Sequence, residues 1–477
     1  MPLTTRERFL REYTEALTDD GGVIFLGAGV SMAAGYPSWS TLLKEIGEEL
    51  GLDASDVADL AALAQWSVRQ TGSYNRVRRV VREHIGVDHP IPDAVRTIAR
   101  LPLRHLWTTN YDRLVERAFE EIKRPLDVVP NAATLSLRPR SGAARLYKMH
   151  GSVEAPDDLV ISTDDYELYR SKRGAYLPLL QAHLTSMSLL FVGLSFTDPN
   201  VRHVLSLIRE SFADAPPEHF ALVRPPHRED FRSQAEYDAR STQHKLWADD
   251  LTRYGLVAVE IEDYAEVPDL LRQVERRVAA RRVWISGSWP SSHDGTDVPY
   301  ELAERLGFAI GQRGLALVTG AGLTVGSGSL SGFLRALREA GGWDIEQRLI
   351  ARPFPQPLVG EEKDHQLWTA LRRELARLSG LVIIIGGTKL SDGRLVVADG
   401  VLEEAAVAQE AGVFLLPIGA SGGAAEEISE RLVGSELRAV GSEPQRPSDE
   451  ELRNLSKKGA TAGELTELVL RIIDRIC

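Results

Sequence analysis

Short runs of valine, isoleucine and leucine recur along the chain, and each run ends close to a glycine or a proline. They lie at residues 23–26, 189–192, 283–285, 315–318, 381–385 and 413–416, the last of which ends at Pro417. Segments with helical periodicity separate them. Continuous apolar runs bounded by glycine are typical of parallel strands that helices cover on both faces. The pattern therefore predicts an α/β protein with two doubly wound, Rossmann-like parallel sheets.

The same periodicity places a boundary between two domains. Residues 268–280 carry Leu270, Leu271, Val274 and Val278 on one stripe, which predicts a helix, and the strand at 283 follows at once. We therefore predict domains at 1–282 and 283–477, joined without a flexible tether. Residues 41–85 are largely helical in pattern, which predicts a helical insertion that covers one side of the first sheet.

Composition and charge narrow the classes of protein to which the chain can belong. Its 477 residues are 43% hydrophobic and 26% charged, with a net charge of −12. This balance is typical of a soluble globular protein and argues against a broad nucleic-acid-binding face. The longest apolar runs are too short to cross a bilayer, and Cys477 is the only cysteine. We expect a cytoplasmic protein without disulfides, without a cysteine-based zinc site and without a membrane anchor.

Glycines follow the first predicted strand in the sequence GAGVS at 27–31, and Trp39 closes the next turn. Glycines at a strand-to-helix turn let backbone N–H groups approach a pyrophosphate at the positive end of a helix dipole. The alternative is that they only permit tight packing of strand and helix. The motif by itself leaves both interpretations open.

Three further segments follow other predicted strands. They are TNYD at 109–112, HGS at 150–152 and FVGLSFTDPN at 191–200. A lone histidine at a strand end is more often a surface or core residue than a catalytic one. The four segments in this order, however, resemble the sirtuin (Sir2-like) family over residues 1–280. STDDY at 162–166 is similar to a segment of Sir2-like proteins from bacterial immune systems.

This resemblance implies an NAD+ site and a role for each matching residue. Asn110 is expected to position the ribose and an attacking water, and His150 to act as general base. Asp112 is expected beside the nicotinamide, or alternatively as a helix cap. The residues expected to bind NAD+ are Gly27, Ala28, Gly29, Ser31, Trp39, Asp112, Gly193, Ser195 and Asp198.

Departures from the sirtuin pattern bear on the acceptor of the ADP-ribosyl group. Deacylating sirtuins carry a four-cysteine zinc module that helps to form the acyl-lysine cleft, and this chain has one cysteine. Water is therefore the expected acceptor, which makes the chain an NAD+ hydrolase without a metal. Two alternatives are an NAD-dependent protein deacylase or ADP-ribosyltransferase, and a nucleotide sensor without catalytic activity.

The C-terminal half carries three glycine-rich strand ends, at 286–289, 319–328 and 385–393. Such loops meet at one edge of an open parallel sheet and indicate a nucleotide ligand, unless they only turn tightly. The half resembles the SLOG superfamily of nucleotide sensors and phosphoribohydrolases, but its IGGTKLSDG loop departs from the hydrolase pattern. Arg372 is expected to hold a phosphate, or to be a solvated surface charge. The residues expected to bind the signal are Gly287, Ser288, Gly320, Gly322, Arg372, Lys389 and Glu404.

A Sir2-like half followed by a SLOG half, at this length, resembles the NADase effectors of Thoeris antiphage systems. The resemblance implies that a partner TIR-domain cyclase makes a cyclic ADP-ribose isomer on infection. This signal is expected to bind the SLOG half, switch on NAD+ hydrolysis and deplete cellular NAD+. The resemblance also implies a homotetramer or a higher assembly.

Overall fold

The computed structural model describes residues 4–196, 198–211, 218–290, 298–342, 344–355, 364–391, 393–433 and 447–476. The chain forms two compact units, Met1–Glu275 and Arg276–Cys477. The division falls within the helix Val267–Ala280, a few residues before the predicted boundary at 282. Cys477, on which the expectation of a disulfide-free chain depended, lies outside the described residues.

Seven parallel strands form the sheet of the first unit in its described part. They are β1 (Gly22–Leu26), β2 (His105–Thr108), β3 (Leu126–Val129), β4 (Ala144–Lys148), β5 (Ser188–Val192), β6 (His219–Val223) and β7 (Leu256–Glu260). Their order is β3-β4-β2-β1-β5-β6-β7, so the chain first builds one side of β1 and then returns to build the other. The direction of winding therefore changes between β1 and β5, where a doubly wound sheet opens a crevice.

Helices cover both faces of this sheet and supply the predicted insertion. They are α1 (Thr5–Thr18), α2 (Ala28–Ala33), α3 (Trp39–Leu42), α4 (Lys44–Glu49), α5 (Leu60–Thr71), α6 (Asn75–Ile85), α7 (Asp93–Arg100), α8 (Leu114–Glu121), α9 (Ala132–Leu135), α10 (Thr163–Glu167), α11 (Tyr169–Arg173), α12 (Tyr176–Ser186), α13 (Pro199–Ser211), α14 (Gln234–Leu251) and α15 (Val267–Ala280). The insertion comprises α3 to α6. Side-chain caps such as Asp59, which accepts the N–H of Ala62 at 3.0 Å, fix where these helices begin.

The described part of the second unit repeats the doubly wound plan with five parallel strands and an added hairpin. Its strands are β8 (Arg282–Ser288), β9 (Ala316–Thr319), β10 (Leu349–Ala351), β11 (Leu381–Gly386), β12 (Thr388–Ser391), β13 (Arg394–Val397) and β14 (Phe414–Ile418). The sheet order is β10-β9-β8-β11-β14, which places the change of winding between β8 and β11. Its helices are α16 (Val298–Gln312), α17 (Val325–Glu339), α18 (Ile345–Arg348), α19 (His365–Leu378), α20 (Asp399–Glu410), α21 (Gly423–Leu432), α22 (Asp449–Leu455) and α23 (Ala462–Ile476).

Burial explains why the central strands read as unbroken apolar runs. In β11, Ile383 packs into the hydrophobic cluster on one face of the sheet, whereas Val382 and Ile384 pack into the cluster on the other. All three side chains are fully buried. Because successive side chains alternate between faces, a strand covered on both sides needs apolar residues at every position. The two predicted α/β sheets are confirmed.

Two details differ from the sequence prediction. The last strand does not end before Pro417 but continues through it to Ile418, with Pro417 opposite Ile384. Among the strands that the structure describes, β14 is an edge strand that pairs with β11 alone. An edge strand tolerates proline because one side of its backbone needs no partner. The predicted glycine loop after β11 is in part an antiparallel hairpin of β12 and β13. Within the described residues no helix is long and apolar enough to span a membrane.

Candidate active site

The loops after β1 and β5 meet at the change of winding. The backbone N–H of Gly29 donates to the carbonyl of Gly193 at 3.0 Å, and Gly27 donates to Val192 at 2.9 Å. A Cβ on Gly27 would lie 2.3 Å from the carbonyl oxygen of Gly193, which itself has a φ of +68°. Tight packing therefore accounts for these glycines, and it brings the same backbone to the edge of a cavity.

This cavity has a volume of about 820 Å³ and lies wholly within the first unit. Ten of the eleven residues predicted for the NAD+ site line it: Ala28, Gly29, Ser31, Trp39, Asn110, Asp112, His150, Gly193, Ser195 and Asp198. Gly27 does not, but its carbonyl accepts the side-chain N–H of Asn110 at 2.9 Å. The predicted segments therefore converge on one site, with a volume in the range of small-molecule pockets.

The helical insertion forms the apolar wall of the cavity. Leu42, Ala61 and Ile85, from α3, α5 and α6, line it together with Trp39. The indole nitrogen of Trp39 is buried and has no hydrogen-bond partner among the described residues. An unpaired buried donor at a cavity wall is placed to bond a polar atom of a ligand. The sequence predicted the insertion and Trp39, but not that the insertion borders the site.

The loop after β2 holds Asn110 and Asp112 through backbone and side-chain bonds. Asn110 donates its backbone N–H to Thr108 Oγ1 at 2.9 Å, and Thr108 Oγ1 donates to the carbonyl of Leu26 on β1. Asp112 is buried and accepts from Ser31 Oγ at 2.5 Å and from the backbone N–H of Leu114 at 3.0 Å. Asp112 therefore lines the cavity and also bonds the start of α8, and its place beside the nicotinamide stays a prediction.

His150 follows β4 and is almost completely buried. Its Nε2 lies 3.1 Å from Asp198 Oδ2, and Tyr166 donates its hydroxyl to the same oxygen at 3.3 Å. Burial raises the pKa of Asp198, but His150 and the backbone N–H groups of Val201 and Asn200 outweigh it and lower that pKa overall. The site therefore pairs a buried imidazole with an ionised carboxylate.

A buried lysine joins the loops that carry Asn110 and His150, and sequence reasoning missed it. Lys148, the last residue of β4, is fully buried and donates to the carbonyl of Asp112 at 2.5 Å and to Glu116 Oε1 at 2.7 Å. A third bond, at 3.3 Å, reaches the carbonyl of Tyr111. All three donors of the ammonium group are thus used. A lysine at the end of a strand gives no sign of such burial, because its partners come from an earlier part of the chain.

In the second unit, glycine-rich loops meet at the change of winding between β8 and β11. A Cβ on Gly287 would lie 2.0 Å from the carbonyl oxygen of Ile385, and Ser288 Oγ donates to the carbonyl of Thr388 at 3.0 Å. Gly322 approaches Gly287 from the loop after β9, and a Cβ on Gly320 would contact the ring of Phe354. The structure therefore brings the predicted glycines together at one sheet edge.

Arg372 and Glu404 lie beside that edge as a buried pair. Arg372 is only 5% exposed, packs on the rings of Phe354 and Trp368, and donates to Glu403 at 2.7 Å. Its Nε lies 3.8 Å from Glu404 Oε1. The alternative that Arg372 is a solvated surface charge is therefore wrong.

Glu404 is a buried acid whose proton affinity is unusual. Ser286, on β8, donates to its Oε2 at 2.5 Å. Burial raises the pKa of Glu404 to about 7, against the lowering effects of the Ser286 hydroxyl and of Arg372. A carboxyl group that changes charge near neutral pH thus stands at the edge of the sheet.

Lys389 lies apart from this pair. It projects from β12 of the hairpin, is exposed, and forms an ion pair of 2.5 Å with Asp399. The neighbouring Thr388 links it to the edge through Ser288. Among the described residues no group of three His, Cys, Asp or Glu side chains is arranged to hold a metal ion.

Comparison with known proteins gives two family matches along the chain. Residues 104–245 match the SIR2-like domain, and residues 266–476 match the Sir2- and TIR-associating SLOG family. The two matches fall on the unit that holds the cavity and on the unit that holds the Arg372–Glu404 pair.

Similarity to other proteins also extends along most of the chain. The chain is 33% identical over 424 residues to the NAD(+) hydrolase ThsA of Bacillus cereus (strain MSX-D12), covering 88% of each protein. It is 31% identical over 435 residues to the NAD(+) hydrolase ThsA of Enterococcus faecium, covering 89% of each. A third, from Acinetobacter baumannii (strain 532279), is 31% identical over 87% of this chain and 88% of that protein. Because the similarity extends over both units, the chain belongs to the ThsA family of NAD(+) hydrolases.

Proposed function

We propose that the first unit hydrolyses NAD+ to nicotinamide and ADP-ribose within the 820 Å³ cavity. The observation that carries this proposal is the convergence of Asn110 and His150, from separate strand ends, on one cavity whose floor is backbone. A backbone floor at the carboxyl end of a parallel strand suits a pyrophosphate, and the apolar wall suits an aromatic base. Membership of a family of NAD(+) hydrolases supports the same substrate.

The proposed chemistry needs little from the protein beyond placement and charge. The bond between the ribose C1′ and the nicotinamide nitrogen breaks, and its electron pair neutralises the cationic ring. Asn110 positions the ribose and a water molecule, whose oxygen forms the new bond to C1′ as His150 accepts a proton. That proton then passes to solvent. Fixed dipoles around the cavity favour the transition state, in which the positive charge moves from the nicotinamide ring to the ribose.

The test is NAD+ consumption by the purified chain, with chromatographic separation of the products. We expect nicotinamide and ADP-ribose in equal amounts from the wild type, and a loss of at least about 100-fold in His150→Ala and Asn110→Ala. His84→Ala is the matched control, because His84 lies on α6, contacts Glu45 and is partly exposed. Turnover of an acetylated peptide in place of free NAD+ hydrolysis would instead indicate a deacylase.

The second unit is proposed to hold the signal that controls this activity. We infer that a cyclic ADP-ribose isomer, made by a partner TIR-domain cyclase, binds at the edge formed by Gly287, Ser288, Gly320 and Gly322. Arg372 then faces a phosphate, Glu404 a ribose hydroxyl, and Lys389 the pyrophosphate from the hairpin. In the proposed defence role, the signal switches on hydrolysis in a cytoplasmic homotetramer or higher assembly, and infected cells lose their NAD+.

Titration of NAD+ hydrolysis with cyclic ADP-ribose isomers tests the second site. Lys389→Ala and Glu404→Ala should each raise the concentration for half-maximal activation by about 10-fold or more, the size of a typical allosteric coupling. Lys458→Ala is the matched control, since Lys458 is also exposed and also forms an ion pair, with Glu426 at 3.0 Å. A normal response in Lys389→Ala and Glu404→Ala would remove both residues from the signal site.

A further inference from the structure

Asp198 holds the one carboxylate that the described structure places in contact with the His150 ring. Its two oxygens have separate partners. Oδ1 accepts the backbone N–H groups of Asn200 at 2.9 Å and Val201 at 3.1 Å, at the start of α13. Oδ2 lies 3.1 Å from His150 Nε2 and accepts the hydroxyl of Tyr166. The carboxylate is therefore fixed by a helix on one side and turned toward the imidazole on the other.

The surroundings of His150 contain few other charges. The rings of Tyr166 and Tyr169 meet the imidazole edge-on, at centroid distances of 5.5 and 6.5 Å. The nearby cations have their own partners: Lys148 pairs with Glu116, and Arg173 pairs with Asp158. Asp112, also on the cavity, bonds Ser31 and the start of α8. Asp198 is therefore the charge that acts most directly on the imidazole.

Nε2 is the ring nitrogen of His150 that faces Asp198. Nε2 is buried against Asp198, but the direction of its N–H gives no well-aligned hydrogen bond within the described residues. Catalytic hydrogen bonds are often misaligned before substrate binds and tighten afterwards. A carboxylate beside Nε2 favours the tautomer that carries its proton there, which leaves the lone pair on Nδ1.

We propose that Asp198 is a positioning residue for His150 rather than a residue that binds NAD+. It keeps the proton on Nε2, so that Nδ1 takes the proton released as water adds to the ribose. The carboxylate then stabilises the imidazolium ion until that proton leaves to solvent. The proposal rests on the proposed function in one respect, because the water that gives up the proton is the water of NAD+ hydrolysis. The tautomer of the His150 ring does not depend on turnover.

Asp198→Asn is the decisive variant, because asparagine caps a helix as well as aspartate does and should leave α13 in place. We expect kcat for NAD+ hydrolysis to fall at least about 10-fold with KM changed less than about 3-fold. The proton on the His150 ring should also be less strictly confined to Nε2, and nitrogen NMR measures this without turnover.

Asp59→Asn is the matched control for the protonation of the His150 ring. Asp59 also caps a helix and also lines the cavity, but on the wall formed by the insertion, so His150 should keep its proton on Nε2 whatever happens to KM. An effect of Asp198→Asn on KM alone would overturn the proposal and return Asp198 to substrate binding.

A readout without turnover separates this proposal from the proposed function. Nitrogen NMR of histidine-labelled protein, with His150→Ala to assign the signal, reports which ring nitrogen carries the proton. We expect the Nε2–H form in the wild type and a mixture of tautomers in Asp198→Asn. If the two proteins differ in this way but the wild type does not hydrolyse NAD+, the proposed hydrolysis is refuted and the pairing of Asp198 with His150 stands. If both proteins show the same tautomer, the pairing of Asp198 with His150 is refuted.

Discussion

Replacing Lys148 with methionine should destabilise the first unit strongly, although methionine has nearly the same length and suits an apolar core. The change removes the ammonium group that bonds Glu116 and the carbonyls of Tyr111 and Asp112. Burial raises the pKa of Glu116, and the attraction of Lys148 opposes that rise. Removing one partner of a buried ion pair costs about 3–5 kcal/mol, because the other charge stays buried without compensation.

The raised pKa of Glu116 determines how the stability of Lys148→Met should change with pH. A carboxyl group whose folded-state pKa is raised binds more protons in the folded state, so the free energy of unfolding falls as pH rises through that range. Without Lys148, that pKa rises further, and Lys148→Met should regain stability as the pH is lowered. Adding Glu116→Gln should remove most of this dependence and recover part of the lost stability at pH 7.

Urea unfolding of the four proteins in this double-mutant cycle, at pH 6 and pH 8, measures the coupling. Arg124→Met is the matched control, since Arg124 also donates to backbone carbonyls, those of Ala99, Leu101 and Leu103. It should lose stability by a similar amount at both pH values. The reasoning fails if Lys148→Met stays within about 1 kcal/mol of the wild type, or if the double variant is no more stable than Lys148→Met at pH 8.

Three further substitutions test other parts of the structure. Gly193→Ala should fold but lose NAD+ turnover by about 100-fold, because the φ of Gly193 is +68° and the new Cβ would lie 2.8 Å from the backbone nitrogen of Val30. Circular dichroism checks the folding, and product chromatography checks the turnover. Trp39→Phe should raise KM for NAD+ about 10-fold with little change in thermal stability, as expected if the unpaired indole N–H bonds the substrate; an unchanged KM would assign Trp39 to the wall alone. In the wild type, a Glu404 pKa of about 7 makes the free energy of unfolding of the second unit fall by up to about 3 kcal/mol as the pH rises from about 4.5 to 7. Glu404→Gln should remove most of this dependence. If the free energy of unfolding, measured with urea, changes with pH equally in both proteins, Glu404 is not buried as described.

Much of the fold was predictable because its central strands are covered on both faces. The apolar runs at 23–26 and 381–385 lie in β1 and β11, since full burial demands an apolar residue at every position. The hairpin of β12 and β13 was missed for the opposite reason. Its residues Leu390, Leu395 and Val396 are exposed, so no alternation of buried and exposed positions marks it as a pair of strands.

The candidate site was predictable where a strand end fixes it. Asn110 and His150 follow β2 and β4, and parallel strands deliver their carboxyl ends to one edge of the sheet. The contacts that tune these residues were not predictable. Asp198 reaches His150 across 48 positions of the sequence, and Lys148 reaches Glu116 across 32. Such pairs depend on how the loops pack, which no local pattern records.

The bonds between the loops after β1, β2 and β5 determine which side of the cavity can move. Gly29 bonds Gly193, Gly27 bonds Val192, and Asn110 bonds Gly27, so the floor of the cavity is one rigid body tied to three central strands. The opposite wall, formed by the insertion, has no such strand beneath it. We therefore expect any change of shape on binding a dinucleotide in helices α3 to α6 rather than in the floor. A displacement of whole helices belongs to the microsecond-to-millisecond scale of collective motion rather than to that of loop fluctuation.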